Sequence, residues 1–241
     1  MDLREPVSSV SHLLTAAWGV FATLVMWRMA ARRPGLVGPL LLYGTTMVLL
    51  FLASGTFHGL HYDTFERFRF FQKLDQSAIY LFIAGTATPV LSVLLTGLWR
   101  RWFLRLIWMI ALAGVGCMWL LPEAPHAAIV GLYLGLGWLT ILPMPILYRA
   151  LGWRPMNWVW VGAALYSIGA ICELAKWPKI VPGFGYHEVL HLTHSAATVV
   201  FFLFIVRYVI PYRPDGPRAA VATPLHESRA VGVSFSSVVK R

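Results

Sequence analysis

The run His187-Glu188-Val189-Leu190-His191 sets two imidazoles four residues apart. On a helix, positions i and i+4 share a face with Cβ atoms roughly 5–6 Å apart, so both rings can hold one metal ion. Read literally, the run is the H-E-x-x-H pattern of zinc proteases, with Glu188 as general base. The plainer alternative is two histidines at the watery end of a helix. His194 follows on nearly the same face, but three ligands on one straight helix do not readily surround an ion. A ligand from a second helix is required, and Ser54-Gly55-Thr56-Phe57-His58 offers His58, with Ser54 one turn earlier on the same face. Asp75 lies seventeen residues beyond His58. Three neutral imidazoles suit zinc and leave a fourth position for water, which Asp75 would orient. Taken singly, these residues have structural readings: Asp75 is a good helix N-cap, and a helical serine can bond the carbonyl one turn back.

The elements that must position these side chains are apolar blocks. Of 241 residues, 58% are hydrophobic and 12% charged, about half the charged share of a soluble domain. Seven blocks occupy roughly residues 12–31, 37–60, 76–98, 104–122, 127–148, 156–174 and 187–211. Blocks of about 18 or more apolar residues read as membrane-spanning helices. The expected fold class is therefore an all-α membrane protein, a seven-transmembrane helix bundle over residues 1–212. Residues 213–241 are rich in Pro, Ala, Ser, Val and Arg and read as a disordered basic tail. Pro89, Pro143 and Pro145 fall inside blocks, where kinks are tolerable. Segments 61–75 and 175–186 are the long loops. By parity of crossings, the end of the second span and the starts of the third and seventh share one membrane face, so His58, Asp75, His187 and His191 can converge.

The net charge of +10 would suggest nucleic acid in a soluble protein. Here the basic residues flank apolar blocks, so anionic headgroups and topology account for them better; the expectation is a multi-pass protein of the cell membrane with no nucleic-acid partner. One side collects Arg4, Arg67, Arg69, Lys73, Lys176 and Lys179; the other collects Arg28, Arg32, Arg33, Arg100, Arg101, Arg105, Arg149, Arg154, Arg207, Arg213 and Arg218. The positive-inside rule then puts the N-terminus outside and the C-terminus in the cytoplasm. Trp99, Trp102, Trp153, Trp158 and Trp177 flank blocks, as interfacial rings do. Cys117 and Cys172 lie within blocks and read as small buried apolar residues, without a disulfide. The first block reads as a retained helix, since no basic segment precedes it.

The order of three stretches is more specific than any one of them. Ser54-x-x-x-His58, then Leu74-Asp75-Gln76-Ser77-Ala78-Ile79-Tyr80 through Gly85-Thr86-Ala87-Thr88-Pro89, then His187-Glu188-x-x-His191 resembles the hemolysin III family, which groups with the progestin and adipoQ receptors. The similarity covers about residues 5–211. The resemblance implies a seven-helix bundle with zinc held by His58, His187 and His191, and with Ser54 and Asp75 as the characteristic serine and aspartate. It also implies, through the alkaline ceramidases of the wider group, hydrolysis of a membrane lipid amide. His61 and His194 stand outside the family pattern and read as solvated or core-satisfied; His12 is given no partner. The receptor members of the group have a cytoplasmic N-terminus, opposite to the charge count. Four functions follow: a zinc-dependent lipid amidase with Asp75 as base and Ser54 as hydrogen-bonding group, a receptor or regulator with structural zinc, a pore former, and an intramembrane protease using Glu188. The Leu, Gly, Ala and Thr of the third and fifth blocks argue against a wide pore, and a protease has no use for Ser54, His58 and Asp75.

Overall fold

Apolar blocks become helices because a backbone in hydrocarbon must satisfy its own hydrogen bonds. The computed structural model describes residues 3–120, 125–181 and 183–213. Its helices are α1 (Pro6–Ala30), α2 (Pro34–Gly59), α3 (Phe65–Leu94), α4 (Gly97–Leu120), α5 (His126–Leu139), α6 (Met144–Leu151), α7 (Trp153–Ala175) and α8 (Tyr186–Phe204), the last running into a π-helical turn at Ile205–Val209. Two short antiparallel strands, β1 (Lys179–Val181) and β2 (Phe184–Gly185), form a hairpin ahead of α8. Six helices are long and apolar enough to cross a membrane, and α5 with α6, bent by 45° at their break, makes a seventh if the pair is counted as one span. The break falls at Thr140–Pro143, where Pro143 cannot donate to the helix ladder. The all-helical fold is as expected. Met1–Pro211 is one compact unit, and of the second, Tyr212–Arg241, only Tyr212 and Arg213 are described. The expected tail from residue 214 onward thus lies outside the described residues.

Two expectations need correction. The stretch 61–75 is not a loop: α3 begins at Phe65, with the Thr64 hydroxyl accepting from the Arg67 amide at 3.3 Å. With 30 residues, α3 rises about 45 Å against a hydrocarbon layer of about 30 Å. Its first turns can therefore carry Glu66, Arg67 and Arg69 beyond the apolar layer. Asp75 accordingly lies inside α3, and the N-cap is Thr64. The cysteines are free but not core residues, Cys117 being exposed on α4 and Cys172 half-buried.

The outward faces are apolar, with Leu14, Phe21, Leu112 and Leu132 each more than half exposed. Trp99, Trp102, Trp153 and Trp177 are exposed near helix ends, and Arg207 lies over the Trp158 ring at 5.4 Å. Inside, α1 and α2 approach closely through small residues, as is common between helices in lipid. A Cβ on Gly55 would stand 2.9 Å from Leu13, and one on Gly44 would stand 2.1 Å from Thr23 Oγ1. The Ser9 hydroxyl donates to the Gly55 carbonyl at 2.8 Å. This contact fixes the start of α1 against the last turns of α2, where His58 sits.

Candidate metal centre

The last turn of α2 and the first turns of α8 bring three imidazoles together. The ring centroids of His58 and His187 are 5.0 Å apart, those of His58 and His191 4.8 Å, and those of His187 and His191 4.4 Å. His58 and His191 are buried, at 3% and 4% exposure. A fourth ring, His12 of α1, lies 4.0 Å from His191 and 6.1 Å from His58. Two sets of ligand atoms fall within 4.8 Å of one another: those of His12, His58 and His191, and those of Glu5, His58 and His187. The trio expected from the sequence spans both sets, with His58 in common.

Two carboxylates hold the outer nitrogens of this cluster. His58 Nδ1 donates to Glu5 Oε2 at 2.5 Å, and His187 Nδ1 donates to Glu173 Oε2 at 3.0 Å. A ring that donates through Nδ1 presents the Nε2 lone pair on its other side, the tautomer that metal-bound histidines adopt. The hydrogen bond from His58 also holds the Glu5 carboxyl below its usual range, against the opposing effect of partial burial. Glu5 is placed by the chain before α1: the Arg4 and Glu5 amides donate to the Gly59 and His58 carbonyls, and the Arg4 guanidinium lies 4.7 Å from the Phe57 ring. Glu173 comes from the end of α7, and its second oxygen is 3.1 Å from His126 Nε2 at the start of α5.

Asp75 reaches the cluster from α3. It is half-buried, takes a hydrogen bond from Ser54 and lies within electrostatic reach of His58 and His187. Ser54 is 4% exposed. All five residues expected at the site therefore line one cavity of about 650 Å³, together with Glu5, His12 and Glu173. Away from the cluster its walls are mostly apolar, with Ile79, Ile83, Val90, Ile129 and Leu147, and with Thr86, Tyr133 and Ser167 among them.

Glu188 has a local duty. Its Oε2 accepts from the Gly185 amide at 2.7 Å and its Oε1 accepts from the Ser8 hydroxyl at 3.2 Å. These bonds brace the start of α8. His194 is core-satisfied, donating through Nδ1 to the Leu190 carbonyl at 2.8 Å beside the Tyr166 ring. His61 is exposed.

Whether the residues fit a metal is tested by nitrogens left over. His191 Nδ1 and both His12 nitrogens are buried with no hydrogen-bond partner among the described residues. Buried imidazole nitrogens without partners are costly in an apolar interior, and a cation beside convergent rings would take up one lone pair from each ring it meets. The residues fit.

Fold and site together define a class: multi-pass helical membrane proteins with a buried histidine cluster, able to hold a metal, near one membrane face. The profile of the Haemolysin-III related family matches residues 2–202, and the chain belongs to that family. It is similar to Hemolysin-3 of Bacillus cereus, 31% identical over 210 residues that cover 86% of this chain and 93% of that protein. It is also similar to the Hemolysin-3 homolog of Bacillus subtilis (strain 168), 29% identical over 170 residues, 70% of this chain and 76% of that protein.

The sequence reading missed Glu5, His12 and Glu173. One signal was available on α1. Glu5, Ser8, His12 and Thr15 follow spacings of three, four and three, a single helical stripe. Each meets the site or α8: Glu5 at His58, Ser8 at Glu188, His12 at His191 and Thr15 at the Ser195 hydroxyl, 2.8 Å away.

Proposed function

We propose that the chain is a zinc-dependent hydrolase of a membrane lipid amide, ceramide-like in class. The observation that carries this reading is the cavity, in which a histidine cluster with Ser54 and Asp75 opens into an otherwise mostly apolar chamber. His58, His187 and His191 would hold the metal. Bound there, zinc would lower the pKa of water toward about 7 and polarise a carbonyl. Glu5 and Glu173 orient the His58 and His187 rings and raise their basicity. Asp75 takes up the proton at its carboxylate, and the Ser54 hydroxyl holds that carboxylate in place. The apolar walls accept a hydrocarbon chain and keep bulk water away, which strengthens the polar contacts at the amide.

The test is metal analysis of the purified protein, followed by a panel of ceramides and other lipid amides. Zinc-dependent release of fatty acid above a chelator-stripped control is expected. Absence of turnover with zinc bound would leave a second reading, a receptor or regulator with structural zinc. His12 favours that reading, because its ring adds a further nitrogen donor beside His58 and His191. The relatives' name raises pore formation, which the mostly apolar cavity walls do not favour.

A further inference from the structure

We infer that His194 selects the ligand of the chamber: its Nε2 accepts a hydrogen bond from a lipid hydroxyl carried close to the amide, so that the chain prefers hydroxylated lipid amides to plain ones. The class of ligand rests on the lipid-amide reading above; the contact itself needs neither the metal nor its chemistry. Three features carry it. His194 lies three residues beyond His191 on α8, about 4.5 Å further along the helix, and lines the same chamber as the cluster. Its Nδ1 is 2.8 Å from the Leu190 carbonyl. A carbonyl can only accept, so Nδ1 carries the proton and, in a neutral ring, Nε2 keeps the lone pair. That bond satisfies the core-facing edge of the ring, and no hydrogen bond reaches the other edge among the described residues. Secondly, the ring is held in place by α7. A Cβ on Gly169 would stand 3.0 Å from His194 Nδ1, and the Tyr166 ring meets the imidazole edge-on, with centroids 4.9 Å apart. Finally, the Tyr166 hydroxyl is itself buried with no partner among the described residues, and Tyr166 lines the chamber too.

The chemistry agrees. An acceptor set in a mostly apolar chamber is costly when unpaired, and only a donor can pair it. The hydrocarbon of a lipid brings none. The amide N–H is common to every secondary amide and stays with its carbonyl at the cluster, whereas a hydroxyl on a neighbouring carbon reaches about one helical turn deeper. Such a hydroxyl donates to Nε2, and the Tyr166 phenol, which can donate in turn, is at hand for its oxygen. Discrimination follows because an analogue without the hydroxyl leaves the acceptor buried and unpaired. His194 stands outside the trio of His58, His187 and His191, so its loss should change which lipid binds and not whether the metal does.

The experiment uses the full chain in detergent, stripped of metal by a chelator so that no turnover consumes the probe. Trp138 and Trp160 line the chamber, and energy transfer from tryptophan to a pyrene-labelled acyl chain reads binding. Three pyrene-labelled lipid amides are compared: one with no hydroxyl near the amide, one with a hydroxyl on the amine side and one with a hydroxyl on the acyl side. At least one hydroxylated probe should bind the wild type about 3–10-fold more tightly than the plain probe, the usual worth of one hydrogen bond. His194→Leu should bind the plain probe as the wild type does and lose that preference, while its zinc content before stripping equals that of the wild type. His194→Gln, which keeps an acceptor oxygen, should retain part of the preference. Should His194→Leu not fold, His194→Phe is read in the same way. Equal affinity of the wild type for all three probes overturns the inference and leaves the lipid-amide reading intact. So does a preference that survives in His194→Leu. A folded wild type that takes up none of the probes overturns both.

Discussion

Glu173 joins two histidines from different helices: its Oε2 lies 3.0 Å from His187 Nδ1 on α8, and its Oε1 lies 3.1 Å from His126 Nε2 at the start of α5. A single carboxylate at the end of α7 thus ties the cluster to the helix that walls the cavity. The wall and the ligand are coupled through one side chain, which is 12% exposed.

Glu173→Gln should therefore weaken the metal centre without unfolding the bundle. The amide keeps the shape but lacks the charge that fixes the His187 tautomer. Chelator competition should show a loss of metal affinity of about 10–100-fold. His126→Ala removes only the exposed side of the bridge and should have little effect. Equal zinc affinity in wild type and Glu173→Gln would show that His187 needs no orienting partner.

Glu188 should prove structural. It satisfies the Gly185 amide at the start of α8 and receives the Ser8 hydroxyl. Glu188→Ala should lower thermal stability by about 0.5–2 kcal/mol, as a lost cap does, while the zinc content stays at one per chain. Complete loss of hydrolysis in a folded, zinc-loaded Glu188→Ala would restore Glu188 to the chemistry.

Glu5 gives a pH signature. The His58 hydrogen bond holds its folded-state carboxyl below the usual carboxylate range. A depressed carboxyl stabilises the fold above its unfolded value and loses that contribution as pH falls through the folded one. The thermal midpoints of metal-free wild type and Glu5→Gln should thus differ near neutral pH, draw together as pH falls below the ordinary glutamate value of about 4.3, and meet below the lower folded-state value. A gap that is constant across the range would mean that Glu5 acts by shape rather than charge.

Orientation follows from the basic residues. Those flanking the face opposite the cluster outnumber those beside it, so the C-terminus should be cytoplasmic and the histidine cluster near the outer face. A reporter active only in the cytoplasm, fused after Arg213, should be active. Silence there, with activity of an exported reporter at the same point, would show that the orientation of the receptor group prevails.

How far the sequence led depended on whether a feature was a run or a single residue. The spans were legible because hydrocarbon demands long apolar runs; the break in the fifth block was not, because Pro143 marks only a tolerable kink, as Pro89 does inside the unbroken α3. The early start of α3 was not, because Phe65 to Lys73 mixes aromatic rings with charges and fails any test for apolarity; Thr64 with Glu66 was the signal of a helix start. Spacing and parity pointed to His58, Asp75, His187 and His191, which line one cavity. Glu173 was lost because a lone acid two residues from a helix end looks interfacial. His12 was lost because one ring has meaning only beside the α8 rings it meets.

Asp75 separates the enzyme from the scaffold. It lies within α3, takes a hydrogen bond from Ser54 and belongs to neither set of converging ligand atoms. Asp75→Asn should therefore leave the zinc content at one per chain and the bundle folded. If Asp75 accepts the proton in amide hydrolysis, the same change should lower turnover by about 10²–10⁴-fold, the usual worth of a general base. Ser54→Ala removes the hydroxyl that holds the carboxylate and should cost less, on the order of tenfold, with a shift in the pH dependence of turnover rather than its abolition. Both variants must be compared at equal zinc occupancy, so that lost metal is not mistaken for lost chemistry. Turnover undiminished in zinc-loaded Asp75→Asn would remove Asp75 from the mechanism. Loss of zinc in that variant would instead make Asp75 part of what holds the metal, and the apolar cavity beside it would then have to be explained as a ligand chamber rather than a substrate channel.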